Sequence, residues 1–157
     1  MKNVILIVLF LLPLFCFGQV SNLLPTSKHG GVYSWKSKIT EDRGGVVYVY
    51  PETSSTILFY LGLDGGAPSY NSGVLDGRIN ISNGTGVFND AGYPDCKFEF
   101  RFVEDKLIVK TVEDKKECLF GSGVGADGEY KRESSVTPEY YEIDGEKVFF
   151  KDIKKVN

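Results

Sequence analysis

The feature that most constrains the fold is a strict alternation of apolar and charged residues in the second half of the chain. Its apolar positions are Cys96, Phe98, Phe100 and Phe102, and its charged positions are Lys97, Glu99 and Arg101. A two-residue period is typical of a β-strand that buries one face. A second strand is predicted over Lys106 to Val112, and a two-residue turn at Glu104-Asp105 places Cys96 opposite Glu113. A one-residue slip would expose the phenylalanines to water, so this register is well specified.

The cysteine pattern predicts a structural disulfide between Cys96 and Cys118. This bridge closes a loop of about 23 residues, which the chain-entropy model values at about 3 kcal/mol. A metal site or a redox pair is the alternative. The chain has no C-x-x-C spacing and only one histidine, which favours the disulfide.

Residues 1–18 are typical of a secretory signal peptide. Lys2 provides a positive start, Val4 to Phe15 form the apolar segment, and small residues precede a cut before Gln19. A lipid anchor at Cys16 is the alternative, although a large residue precedes that cysteine. We therefore predict a secreted or periplasmic protein with a signal peptide (1–18), a flexible leader (19–30), a single β-domain (31–151) and a polar tail (152–157).

Charge and hydropathy limit the expected partners. The formal net charge is −3 and becomes about −4 once Lys2 leaves with the signal peptide, so no basic field for nucleic acid is expected. After residue 18, no apolar run reaches the ~20 residues that a bilayer needs, and no stable membrane span is predicted.

From Gly31 onward, short apolar segments alternate with turn residues, and no long window keeps a helical period. Ser55 to Leu63 is apolar on both faces, which predicts a central strand covered on two sides. Asn83-Gly84 predicts a hairpin that pairs Ile79 with Phe88, and Asp144-Gly145 predicts a last hairpin. The sequence thus predicts an all-β fold, an antiparallel meandering barrel or sandwich of about nine or ten strands with one disulfide. A barrel is preferred because closure removes exposed edges.

Catalytic chemistry has little support in the sequence, so we predict no enzyme, no catalytic or metal-binding residue and no cofactor. The single histidine, His29, falls in the leader and is expected on the solvated surface. Gly123 to Gly128 matches G-x-G-x-x-G, but no helical pattern follows, so a turn between strands is predicted there. A carboxylate-based hydrolase stays open as a third hypothesis, since paired acids cannot be recognised from spacing alone.

An excess of tyrosine on predicted outer faces and loops carries the leading functional hypothesis. These candidate surface-binding residues are Tyr48, Tyr50, Tyr70, Tyr93, Tyr140 and Tyr141. Tyrosine is rigid and amphipathic and is well suited to protein or sugar contacts. The chain is predicted to be an exported, non-enzymatic binding module for an unknown protein or glycan partner.

The alternative function is a lipocalin-like carrier that holds a small apolar ligand inside the barrel. It depends on aromatic side chains at predicted inward positions, namely Trp35, Phe59, Phe98, Phe100 and Phe102. A barrel interior filled by these side chains would contradict the carrier, and a hollow one would favour it.

One longer pattern, C-x-F-x-F…C-x-F-G-x-G-V-x-x-D-G-x-Y, runs from Cys96 to Tyr130. It resembles an element of uncharacterised small exported bacterial β-domain proteins. The resemblance implies an exported β-domain, and it implies no catalytic residue.

Overall fold

The computed structural model describes residues 25–40, 42–90, 93–114, 118 and 120–154, with the backbone alone at positions 90, 93–95, 113 and 114. The predicted signal peptide, the first part of the predicted leader and the last three residues lie outside these ranges. The described chain is all-β, as predicted, with two short 3₁₀ helices, Pro25–His29 and Phe150–Asp152. Neither helix has the length and apolar character needed to cross a bilayer.

Ten strands follow one another along the described chain. They are β1 (Gly31–Lys36), β2 (Arg43–Pro51), β3 (Thr56–Gly65), β4 (Ser72–Asn80), β5 (Thr85–Asp90), β6 (Tyr93–Val103), β7 (Lys106–Asp114), β8 (Gly128–Ser134), β9 (Tyr140–Ile143) and β10 (Glu146–Phe149). The first eight form one antiparallel sheet in the order β4-β3-β2-β1-β8-β7-β6-β5, and β9 and β10 form a separate hairpin. The sheet is therefore an up-and-down barrel, joined through β1 and β8 over part of their length, with β4 and β5 as the two ends of the strand order.

The two ends of the barrel differ. At the helix end lie the first 3₁₀ helix and the tight turns that join β4 to β5 and β6 to β7. At the loop end lie residues 37–40 and 42, residues 66–71 and the connection between β7 and β8, of which residues 118 and 120–127 are described. The disulfide between Cys96 and Cys118 is present, with its two Cα atoms 5.1 Å apart, and it ties this last connection to β6.

The register between β6 and β7 follows the prediction over most of its length. Phe102 faces Leu107 and Phe100 faces Val109 across a two-residue turn. A bulge then leaves Val112 without a partner, so Cys96 lies opposite Asp114. The predicted pairing of Cys96 with Glu113 is wrong by one residue, because a bulge adds a residue to one strand of the pair.

The turn at Asn83-Gly84 forms with φ of 50° and 78°, both in the positive range that a type I′ turn requires. Pairing between β4 and β5 nevertheless stops at one bridge, Ser82–Thr85. The predicted ladder that pairs Ile79 with Phe88 is therefore wrong, although both side chains are buried in the core. The ring of Phe88 packs directly on Gly77 and fills the seam from inside.

Aromatic rings fill the barrel interior. The ring centroid of Phe59 lies 5.1 Å from that of Phe88 and 4.7 Å from that of Phe100. The ring of Tyr33 packs edge-on against Phe102 at 5.9 Å. All five predicted inward aromatics belong to this core, with Trp35 only partly buried at its edge.

A second apolar cluster lies outside the barrel, where the C-terminal hairpin packs against β2 and β3. Tyr60 stacks on Tyr141 at 4.5 Å, and Tyr50 stacks on Phe150 at 5.4 Å. Leu58 is buried in the same cluster. The prediction that β3 is covered on both faces is confirmed, because its inward side chains meet the barrel core and its outward ones meet this hairpin.

The first 3₁₀ helix closes the helix end, and it corrects the expectation for His29. That side chain is 8% exposed and stacks on Phe102 with ring centroids 4.2 Å apart. The hydroxyl of Tyr33 donates to the His29 carbonyl at 2.9 Å, and Arg132 donates to the Lys28 carbonyl. The solvated-surface prediction is wrong because these contacts hold the end of the predicted leader against the core.

We expect stability to fall as pH drops from 6.5 to 4. Burial, together with the positive charges of Lys28 and Arg132, lowers the pKa of His29 from 6.5 to about 4. Between these values the unfolded chain binds a proton that the folded chain does not, which favours unfolding by about 1–2 kcal/mol at pH 4 once solvent screening of the imidazole is allowed for. Urea unfolding of the wild type and of His29→Phe at both pH values measures this effect.

The His29→Phe variant keeps an aromatic ring on Phe102 and cannot titrate. Carboxylates contribute their own pH dependence to both proteins, so the difference between the two curves is the quantity of interest. Equal losses of stability in wild type and variant would contradict a buried, neutral imidazole.

Candidate functional site

An open cleft of about 620 Å³ lies at the loop end, lined by residues of the β1–β2 connection (37, 40 and 42) and of the connection of residues 66–71. Two aromatic side chains line it, Trp35 from the end of β1 and Tyr70 from the β3–β4 connection. Tyr70 is 67% exposed and has a positive φ of 51°. The cleft therefore presents one exposed and one partly buried aromatic ring.

The polar groups of this first cleft are of both signs. Asp42 and Asp64 supply carboxylates, and Arg43 supplies a guanidinium. Asn71 donates from its side-chain amide to the Ser122 carbonyl at 2.8 Å, which joins the two loops of the barrel end. Carboxylates accept hydrogen bonds and guanidinium groups donate them, so the cleft can serve a ligand that carries both donors and acceptors.

A second open cleft, of about 1000 Å³, follows the outer surface of β1 and β8 and shares Trp35 with the first. Its acidic groups are already engaged. Lys106 pairs with Glu129 at 2.7 Å, and Ser34 donates to Glu133 at 2.8 Å. Asp127 accepts from the Thr111 backbone N–H at 2.6 Å.

Trp35 connects the two clefts because the sheet opens beside it. Pairing between β1 and β8 covers three positions and ends at Ser34–Lys131. Beyond that point β1 pairs only with β2, through Trp35–Gly45 and Lys36–Gly44. In the same region β8 pairs only with β7, as far as Val109–Gly128. A split thus separates the two strands at the loop end, within the part of the chain that the structure describes.

The indole of Trp35 fills the inner side of this split. Its ring meets that of Tyr130 edge-on at 6.4 Å, and a Cβ added to Gly128 would lie 3.5 Å from its Nε1. The indole N–H is buried and has no well-aligned acceptor among the described residues. Burial raises the pKa of Tyr130. The neighbouring indole N–H of Trp35 lowers that pKa, but by less than burial raises it.

The six candidate tyrosines do not form one surface. Tyr48 and Tyr50 lie on the outer face of the barrel as predicted, but the C-terminal hairpin packs on them. Tyr141 is 4% exposed and donates to Asp76 at 3.2 Å, so the expectation that it lies on the surface is wrong. Burial and this carboxylate raise the pKa of Tyr141 to about 12.

Two further candidate tyrosines lie away from the clefts or outside the described side chains. Tyr140 is half-buried against Phe149, with the Lys147 ammonium 4.1 Å from its ring centroid. Tyr93 begins β6, and its side chain is not among those described. Of the five whose side chains are described, only Tyr70 lines either of the two clefts at the loop end.

The inward position of Trp35, predicted from its alternation with Ser34 and Lys36, is confirmed, but its place in the lining of the two clefts was not predicted. The available signal was the Gly44-Gly45 pair in β2. A Cβ at Gly45 would lie 2.8 Å from the indole Nε1. Glycine inside a strand often marks such a close approach.

Comparison of the chain with models of protein families, with curated proteins and with solved structures finds no match.

Proposed function

We propose that the protein is an exported, non-enzymatic binding module that engages a protein or glycan through the loop end of its barrel. The observation that carries this proposal is the first cleft, where Trp35 and the exposed Tyr70 face a mixed set of charged groups. Aromatic side chains combined with a few polar groups are typical of binding sites. The Cys96–Cys118 bridge supports export, since disulfides persist in oxidising compartments.

The rest of the molecule supports the choice of this end. In the interior, the ring of Phe59 contacts the rings of Phe88 and Phe100. These side chains occupy the space where a carrier would hold its apolar ligand, which favours the loop end as the binding site. The only histidine packs on Phe102 at the opposite end. In a binding role, Asp42 and Asp64 accept hydrogen bonds from hydroxyl or amide donors of the partner.

Trp35 is the only tryptophan in the chain, so its fluorescence reports directly on the proposed site. We expect a panel of glycans and exported proteins to contain a ligand that shifts this fluorescence. Tyr70→Ala should weaken that ligand at least tenfold, as expected for an aromatic side chain at the centre of a contact. Val136→Ala, an exposed apolar residue outside both clefts, is the matched control.

Binding that survives Tyr70→Ala unchanged would contradict the proposal, and so would a panel in which no ligand alters the Trp35 signal. Extraction of the purified protein followed by mass spectrometry tests the carrier. A stoichiometric apolar molecule in the extract would favour the interior over the loop end.

A further inference from the structure

We propose that the split between β1 and β8 accepts a short, extended, acidic segment of a protein partner, which pairs with the backbone of β1 beside Trp35. This inference rests on the proposed function, because it names the class of partner that reaches the loop end. The first support is the strand pairing itself. Trp35 and Lys36 pair with β2 alone, while Gly128 and Glu129 pair with β7 alone.

Strand edges that lack a neighbour present unpaired N–H and C=O groups and are the usual places where an extended peptide adds to a sheet. In this barrel the edge is short, reaching from Trp35 toward residues 37–40. A segment of a few residues therefore fits it. The indole of Trp35, which lines the inner side of the split, supplies an apolar wall.

Charge determines the chemistry of the segment. Lys36, Lys38 and Lys131 are exposed around the split and line the second cleft. Among the described residues, none of the three forms an ion pair. The neighbouring carboxylates of Glu129 and Glu133 are already bound to Lys106 and Ser34. Beside the Lys106–Glu129 pair, the lining holds these three lysines against the carboxylates of Asp127 and Glu133, which keep their charge when they accept hydrogen bonds. The surface that an incoming strand would meet therefore carries a small positive excess, although the chain as a whole is negative.

An acidic segment satisfies both features at once. Its backbone pairs with β1, and alternate side chains point outward toward the lysines, since successive residues of a strand face opposite sides of a sheet. The side chains between them point toward Trp35 and are expected to be apolar. A glycan has no peptide backbone to pair with β1, and binding of a glycan or of a second copy of this chain is an outcome of the test.

The test uses the full mature chain and a capped six-residue peptide of alternating Glu and Val. We expect this peptide to shift the fluorescence of Trp35. It should bind at least tenfold more tightly than a control peptide of the same length with Lys in place of Glu. A Glu-Val peptide in which alternate backbone amides are N-methylated keeps its charge but loses the N–H groups that would pair with β1, and it should bind at least tenfold more weakly than the unmethylated peptide. The double variant Lys36→Gln, Lys38→Gln should weaken binding about threefold to tenfold. Lys110→Gln, an exposed lysine of β7 outside the cleft, should leave it unchanged.

Equal binding of the N-methylated peptide would overturn the inference, because attraction to the lysines would then suffice without backbone pairing. Failure of the acidic peptide at millimolar concentration would overturn it as well. If a glycan competes for the split, or if the chain dimerises through it in light scattering, the partner class is wrong. In any of these cases, a ligand whose binding still depends on Tyr70 would support the proposed function without the strand-pairing inference. If the fluorescence of Trp35 changes neither with the panel of glycans and proteins nor with the peptide, both proposals are wrong.

Discussion

Replacement of Phe59 by alanine is expected to lower the free energy of unfolding by about 3–5 kcal/mol, the range for a buried aromatic in a close-packed core. Phe59 is fully buried and its ring contacts both Phe88 and Phe100. These two partners lie on β5 and β6, so Phe59 joins the two halves of the barrel across the open seam. Urea unfolding followed by far-UV circular dichroism measures the loss.

Val87→Ala on β5 is the matched control for Phe59→Ala. Val87 faces outward and is half-exposed, so its truncation should change stability by less than about 0.5 kcal/mol. A Phe59→Ala variant as stable as this control would contradict a packed interior, and it would revive the carrier hypothesis, since an unfilled interior tolerates truncation.

Removal of the disulfide by the double substitution Cys96→Ala, Cys118→Ala is expected to destabilise the mature protein by about 3 kcal/mol, with 2–5 kcal/mol as the usual range. The bridge joins β6 to the long β7–β8 connection across a separation of 22 residues, so it restricts the unfolded chain. Urea unfolding of the variant against the oxidised wild type measures the difference.

Wild-type protein refolded in the presence of a reductant is the natural companion measurement. It should unfold at the lower urea concentration of the double variant, apart from the smaller contribution of the buried Cys96 side chain. If reduced and oxidised wild type unfold at the same urea concentration, the bridge contributes nothing, and the case for an oxidising compartment weakens with it.

The fold was predictable from sequence where a structural feature depends only on residues that are close together in the chain. The register of β6 and β7 follows from the alternation that ends at Phe102 and from the two-residue turn after it. The bulge at Val112 was not predictable, because an apolar residue at an alternate position gives no sign of leaving the ladder. The absence of a β4–β5 ladder was not predictable either. The local turn at Asn83-Gly84 forms as predicted, and the strands separate beyond it because of how the whole barrel is arranged, which no local pattern shows.

The candidate site was less predictable, because it depends on which segments cover which faces. Alternation correctly placed Tyr48 and Tyr50 outward. No local pattern indicates that Tyr141 of the C-terminal hairpin and Phe150 of the 3₁₀ helix after it, some ninety or more residues later, pack on that face. The burial of His29 likewise depends on contacts with Phe102 and Arg132 that are distant in sequence. The loop position of Tyr70 was predictable because glycine and proline, which favour turns, precede it in the sequence.

The seam between β4 and β5 has a consequence for how the chain reaches this structure. Strands β1 to β4 and β5 to β8 are two meanders of four strands, each built from neighbouring hairpins. Among the described residues, the two meanders share a ladder only through β1 and β8, over three positions, where Ser34 meets Glu133 across 99 residues of chain. Contacts so distant in sequence are slow to form, since loop-closure entropy must be lost before they stabilise the chain. Folding speed in this barrel is therefore limited by the meeting of its first and last strands, beside Trp35, rather than by any of its hairpins.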